Sequence, residues 1–385
     1  MNASLRWRKI SRWFVIVSLC LILLMGTATG ILYLMIQAAV GKLPDEATYR
    51  TYEKLPNFKD GQFRNYEPMQ HIIWKKPRGR IVSRFLTDPP KGPENPIPRK
   101  ELNSRNVGPK KTDILRVFWL GHSTLLFDID GVRLLTDPVF GNAGPLPGIV
   151  RRFQPSPLER AEIPKLNLDV ILISHDHYDH LEKKTIESLV HSDIRFIVPL
   201  GVGARLRGWG IAADRITELN WGDSAEVGSL KVTAVTARHF SGRLLKDRNR
   251  TLWTAYVLKG PKHNVFFAGD GGYGEHFKKL GAEYGPFDLT CLEIGAWNER
   301  WPNSHLFPEQ TIQAHKELRG DFLLPIHWAA YDLAFHEWDE PIRRASAAAA
   351  EKKVELLTPI QGEELIPGKT ATTKWWDPGI KNPAQ

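Results

Sequence analysis

Six consecutive residues, His175-Asp-His-Tyr-Asp-His180, carry three imidazoles and two carboxylates directly behind the apolar run Val170–Ile173. Ionisable groups packed that densely beside hydrocarbon are unfavourable unless something compensates them, because a polar group taken out of water needs a partner. The apolar run is short and aliphatic, which predicts a buried strand. A buried strand that empties into such a cluster constrains the fold. It must lie inside a sheet, its C-terminal end must hold the cluster, and other strands must deliver whatever completes it.

The same arrangement recurs along the chain. The predicted strand Leu230–Ala237 precedes His239, Asn264–Ala268 precedes Asp270 within Gly269-Asp-Gly-Gly272, and Phe322–Ile326 precedes His327, although Pro325 weighs against the far end of that strand. Four strands thus each run into a group able to bind a metal, at the strand ends where α/β folds place their sites. Further strands are expected at Ile114–Trp119, Thr124–Ile129, Arg133–Thr136, Arg195–Val198, Trp253–Leu258 and Leu289–Leu292. Asp130-Gly131 between two apolar runs is a hairpin signal. Leu181–Val190 reads as a helix. So does Pro308–Leu318, with Pro in the first turn, Glu309 beside it and Gly320 just past the end. The alanine-rich stretch after Pro341 is a further helix. This interspersion predicts a mixed α/β domain.

Within the cluster, His175 and His177 alternate along an extended segment, so both can face one metal. Asp179 and His180 lie at the turn into a helix and can serve a second. Imidazole and carboxylate suit zinc and other borderline divalent ions. Asp270, with glycine on both sides, is a candidate bridge between two metals. Isolated histidines such as His71, His191, His263 and His276 read as structural or surface residues.

The N-terminus adds a separate constraint. Residues 13–36, Trp13 to Ile36, form an uncharged run. At about 1.5 Å per residue it reaches roughly 36 Å, enough to cross a bilayer. Arg6, Arg8, Lys9 and Arg12 precede it, which keeps residues 1–12 in the cytoplasm and sends the bulk of the chain outside, into the periplasm in a bacterium. A cleaved signal peptide is the alternative, with Ala38 and Ala39 as a poor cleavage site. These basic residues account for part of the net charge of +9. Nucleic acid is not an expected partner of an exported, anchored chain. The two cysteines, Cys20 and Cys291, have neither a plausible disulfide placement nor zinc-finger spacing. Residues 37–112, with proline-rich stretches such as Thr87–Pro98, read as a linker and irregular lead-in. Residues 113–370 read as the folded domain, and 371–385 as a C-terminal tail.

The pattern His175-x-His177-x-Asp179-His180 resembles the signature of the metallo-β-lactamase fold superfamily. Trp119-Leu-Gly-His-Ser-Thr, Leu135-Thr-Asp-Pro138, Val198-Pro-Leu-Gly201, Thr251-Leu-Trp253, Ala268-Gly-Asp-Gly-Gly-Tyr273 and Ile326-His-Trp328 bring it closer to one branch, the enzymes similar to N-acylphosphatidylethanolamine-hydrolysing phospholipase D. The likeness runs from about Phe58 to Gly362. It implies a four-layer αββα sandwich holding two divalent metal ions, zinc first among them. His175, His177 and His239 would bind one metal, Asp179, His180 and His327 the other, and Asp270 both. A hydroxide shared by the two cations would be the nucleophile, with Asp179 orienting or deprotonating it. Ser304-His305 falls where the branch has a polar residue followed by a substrate-facing histidine. His305 would steady a phosphoryl oxygen or protonate the leaving group. Ser304 stands in place of the glutamine expected in the lipase, which leaves substrate identity open. His122 and Tyr178 are further candidates for contacting substrate. The resemblance together with the anchor points to a phosphodiesterase acting on a phospholipid. A lactonase or carboxylic-ester hydrolase is the alternative within the fold, and a membrane-anchored metal-binding scaffold the alternative of another class.

Overall fold

The computed structural model describes residues 3–70, 92–146 and 148–377, with side chains from Trp13 onward. His71, Thr87–Lys91 of the proline-rich stretch and residues 378–385 of the expected tail lie outside the described residues.

A helix over Ala3–Val40 opens the chain, and Trp13–Val40 within it is long and apolar enough to cross a membrane. The apolar helix therefore runs four residues beyond the expected Ile36, because Gln37-Ala-Ala-Val40 continues without a breaker up to Gly41. After a short ribbon, β1 (Phe58–Lys59) and β2 (Gln62–Phe63), come β3 (Leu115–Trp119), β4 (Leu125–Ile129), β5 (Val132–Thr136), β6 (Val170–Leu172), β7 (Arg195–Pro199) and β8 (Ile216–Leu219). There follow β9 (Ser224–Val227), β10 (Leu230–Val235), β11 (Ala255–Lys259), β12 (Asn264–Phe267), β13 (Phe287–Glu293), β14 (Gly320–Ile326), β15 (Glu355–Leu356) and β16 (Glu364–Leu365). They build two seven-stranded sheets, in the orders β16-β3-β4-β5-β6-β7-β8 and β15-β14-β13-β12-β11-β10-β9.

Period-two alternation explains how these strands make four layers. Val117, Trp119, Leu125, Phe127, Val170 and Leu172 of the first sheet face Val232, Tyr256, Leu258, Val265, Phe267 and Leu289 of the second in one core. The intervening Phe118, Leu126, Leu135 and Ile171 pack outward against Ile186, Leu189, Val202 and Leu206 of an outer helical layer. On the far side, Val257, Phe266 and Phe287 meet Phe277, Leu280, Ile312 and Leu318, from the helices His276–Tyr284 and Pro308–Leu318. The result is an αββα sandwich, the mixed α/β architecture expected.

Local signals fare unevenly. Asp130 and Gly131, both at positive φ, make the two-residue turn between β4 and β5, as the Asp-Gly pair predicts. The helix over Leu181–Val190 is only Lys183–Ser188. Arg319, not Gly320, takes the left-handed position behind the helix Pro308–Leu318, and Gly320 already belongs to β14. Pro325 does sit in that strand, because β15 pairs only at Phe322 and Leu323 and leaves the Pro325 level without a neighbour on that side.

Two expectations about the flanks are corrected. The lead-in is not merely irregular linker: a helix over Glu46–Tyr52, capped by the Asp45 carboxylate on Thr48 N (2.8 Å), places Tyr49 and Tyr52 beside Phe58 and Phe63 in the buried core. Its aromatic spacing, without long periodicity, hides it from a sequence reading. The tail also begins inside the fold. Trp375 stacks on Trp328 with ring centres 5.2 Å apart, and Trp375 and Trp376 are both buried.

Candidate metal centre

The ends of four strands meet at one edge of the sandwich. Three residues past the end of β6, His175 Nε2 lies 2.8 Å from His177 Nδ1, and His239 Nε2, from beyond β10, lies 3.4 Å from that same atom. The far nitrogen of two of these rings is held: His175 Nδ1 meets Ser174 Oγ at 2.9 Å and His239 Nδ1 meets the Ser304 carbonyl at 2.8 Å. Beside this trio stands a second group. Asp179 Oδ2 lies 3.5 Å from His180 Nε2, 3.4 Å from His327 Nε2 and 3.0 Å from His122 Nε2.

Asp270 joins the two. Its Oδ2 lies 3.9 Å from His175 Nε2 and 3.8 Å from His239 Nε2 on one side, and 3.1 Å from His180 Nε2 and 3.0 Å from His327 Nε2 on the other. Gly269 before it has φ +60° and sits so close that a Cβ would lie 2.6 Å from Ser174 Cβ. That glycine thus serves the close approach of the His175 loop.

These groups fit divalent cations. His327 Nδ1 and Asp270 Oδ1 are buried without a hydrogen-bond partner. Orphaned polar atoms of that kind demand an explanation, and a cation facing imidazole and carboxylate donors supplies one. The electrostatics divide along the same line. Burial holds His175 and His239 well below the usual imidazole range and His177 down to about 4, so these rings are neutral and ready to ligate. Burial also opposes charge on His180 and His327, but the Asp270 and Asp179 carboxylates outweigh it, lifting His180 well above its ordinary value and His327 to about 10. Asp179 likewise stays ionised: burial works against its charge, and His180 and His122 overcome it.

A β-lactamase superfamily domain model matches residues 132–328. An uncharacterized protein of Mycobacterium tuberculosis is 42% identical over 357 residues, which is 88% of this chain and 92% of that protein. The chain belongs to the β-lactamase superfamily. Within the superfamily it is similar to N-acyl-phosphatidylethanolamine-hydrolyzing phospholipase D 1 of Caenorhabditis elegans, 35% identical over 239 residues that cover 57% of this chain and 65% of that enzyme. In fold it is similar to Igni18, a metallo hydrolase from the archaeon Ignicoccus hospitalis, with a TM-score of 0.51 and 20% identity over 65% of this chain and 97% of the other. This superfamily member therefore has the metallo-β-lactamase fold of metal-dependent hydrolases.

The remaining candidates of this metallo-β-lactamase-fold protein are placed as follows. A cavity of about 300 Å³ opens over the centre, and His177, Asp179, Asp270, His327, Ser304 and His305 all contribute to its wall. His305 Nδ1 is bound by Glu293 Oε2 at 2.7 Å. Ser304 lines the cavity, and its carbonyl orients His239. His122 does not line the cavity; it is buried at 1% exposure and orients Asp179 instead. Tyr178 turns away as well. Its hydroxyl donates to the Arg243 carbonyl (3.1 Å), and its ring lines a different groove, because the Arg243 guanidinium lies 3.8 Å over it.

Sequence reasoning missed two supporting carboxylates. Asp137 accepts Ser174 N and Oγ at 2.7 and 2.6 Å and faces His180 Nδ1 at 2.7 Å, which fixes that ring from behind. Glu293 accepts from Gly271 N at 2.8 Å besides holding His305, so it ties the Asp270 loop to the cavity wall. Both end apolar strands, the same signal that marked His239 and His327.

Proposed function

We propose that the chain is a dinuclear, zinc-dependent phosphodiesterase acting on a phospholipid, similar in reaction to the N-acylphosphatidylethanolamine-hydrolysing phospholipases D. The observation that supports two cations is Asp270, whose Oδ2 lies within 4 Å of imidazole nitrogens from both groups, and the likeness to the Caenorhabditis elegans phospholipase D supports the reaction. His175, His177 and His239 would hold one cation, Asp179, His180 and His327 the other, and Asp270 both. Bound there, the cations supply acidified water and neutralisation of charge on the phosphoryl oxygens.

The chain's own residues do the rest. Asp179 is ionised, steadied by His122 and present in the cavity wall, so it can accept the proton of an attacking water. Attack at phosphorus forms one P–O bond while the bond to the leaving alkoxide breaks. With Nδ1 engaged by Glu293, His305 has Nε2 left to give a proton to that alkoxide. Phe240, Trp301, Ala296 and Leu333 give the cavity an apolar side, and Arg248 places a cation on its wall, a combination suited to an anionic diester bearing acyl chains. The helix Trp13–Val40 would hold the site at a membrane surface, with residues 1–12 in the cytoplasm and the domain outside.

The full chain in detergent, loaded with zinc, is offered N-acylphosphatidylethanolamine, a simple phosphodiester and a panel of lactones. Turnover of the lipid with release of phosphatidic acid is expected. Lactone turnover without phosphodiester turnover would sink the phosphodiesterase reading in favour of a carboxylic-ester hydrolase. No turnover by a protein that retains two zinc ions would favour a scaffold.

A further inference from the structure

The last turn of an α-helix leaves its carbonyls without partners inside the helix, and the helix dipole places negative charge there. In the helix Ala3–Val40 the Gln37 carbonyl is met by Gly41 N at 3.1 Å. The next three are all met by side chains of the folded body. Trp209 Nε1 donates to Ala38 O (3.0 Å), Arg243 Nε to Ala39 O (3.1 Å) and Arg205 Nη1 to Val40 O (2.6 Å). Arg205 and Arg243 are 0% and 6% exposed, so these are built contacts and not chance surface ones.

Both arginines also grip the loop that carries the candidate ligands. Arg205 Nε donates to Asp176 Oδ2 at 2.6 Å, and Asp176 stands between His175 and His177. Arg243 Nη1 donates to the Asp176 carbonyl at 2.8 Å and to the Leu181 carbonyl at 2.9 Å, at the two ends of the stretch holding His177, Asp179 and His180. Asp247 joins the two, accepting from Arg205 Nη2 (2.9 Å) and from Arg243 N (2.9 Å). Such charge-assisted, buried contacts are the stronger class of hydrogen bond, and leaving one unmade is costly.

We infer that the C-terminal end of the apolar helix is a structural part of the metal centre, with Arg205 and Arg243 as positioning residues that transmit helix docking to the loop His175–His180. Each guanidinium spans helix and loop at once. Undocking the helix takes one acceptor from each arginine and frees it to shift off Asp176 and Leu181. The helix is then no disposable leader: cleavage behind Ala39 would remove two of the three acceptors along with the anchor. This inference needs only that the loop binds metal, and it stands whatever the substrate.

The test uses the metal-free full chain in nanodiscs, with zinc alone as the ligand. Gly41 has φ +75°, and a Cβ there would lie 2.9 Å from the Trp209 indole, so Gly41→Val strains the docked junction without touching the site. Backbone amides of residues 174–181 should then exchange at least about tenfold faster, and zinc affinity should fall about tenfold, with the amides of β13 unchanged. Trp209→Phe removes one donor without adding bulk and should shift both readouts the same way by about threefold; it carries the test if the valine variant does not fold. Arg243→Lys, which keeps the charge but not the fork, should not restore protection. Unchanged exchange and zinc affinity in the loop while amides of residues 36–40 are released would overturn the inference. So would equal acceleration in the loop and in β13, which would mean general destabilisation.

Discussion

The first sheet brings most of its half of the centre on one short loop, His175–His180, whereas the second sheet gathers its half from separate strand ends, at His239, Asp270, Glu293 with His305, and His327. The loop half is backed by Asp137 and framed by His122; the gathered half is backed by Glu293. Each half therefore gets its precision from a different source. The loop is held by Asp137, which accepts from Ser174 N and faces His180 Nδ1, and by two arginines that donate to its backbone and to Asp176. The gathered half depends on the register of β10, β12, β13 and β14, so any slip of the sheet would scatter it.

Removing a ligand from the loop half should have the largest effect. His177→Ala is expected to lower hydrolysis by about 10³-fold, because the cation it would hold supplies several kcal/mol of transition-state stabilisation. Circular dichroism of the variant should stay close to wild type. A folded His177→Ala protein with full activity would remove the loop from the reaction. Next comes the seam between the halves. Asp270→Asn keeps the shape and removes the charge that both groups share. It should drop metal content below two per chain by elemental analysis and cut activity about 10²-fold.

The two backing carboxylates serve different halves. Asp137→Ala should weaken metal binding about 10- to 100-fold, because it frees the His180 ring. Glu293→Gln should leave metal affinity nearer to wild type and lower kcat more than it raises KM, since it acts through His305 on the substrate side. Reversed phenotypes would show that the halves are wired otherwise. The smallest effect is the pH response of the metal-free protein. His122 is pushed down to about 3 and His177 to about 4 by burial, below the unfolded imidazole value of 6.5. A base depressed on folding gives stability present above the unfolded value and lost as pH falls through the folded one. The melting temperature of stripped protein should therefore decline between about pH 6.5 and pH 4, and zinc should offset part of that loss near neutrality. A melting temperature flat across that window would contradict neutral burial of these rings.

The same contrast governs what could be read in advance. The loop half was legible because its ligands are neighbours in sequence and an apolar strand points at them. His239, Asp270 and His327 were legible only as singles, each behind a strand, until the sheets brought them together. Asp137 and Glu293 carried the same mark, but an acid ending a strand is common and nothing local tells a supporting carboxylate from a solvated one. Tyr178 was misread for a related reason. Its place in the run suggested the cavity, while its direction is set by Arg243, sixty-five residues away. The lead-in and tail were missed because short aromatic segments gain their structure from a core that only the whole chain provides.

That last point bears on the order in which the chain can mature. Asn65, from the lead-in, accepts from His239 N (3.1 Å) and donates to His239 O (2.8 Å), while β16 pairs with β3 and Trp375 covers the residue next to His327. Segments from before and after the central strands thus close over the middle of the chain, Asn65 on the candidate ligand His239 and Trp375 on Trp328, beside His327. A chain emerging from the ribosome, or threading through a translocation channel, has its loop of histidines long before it has the segments that clamp them. Metal met in transit would find an unfinished cradle.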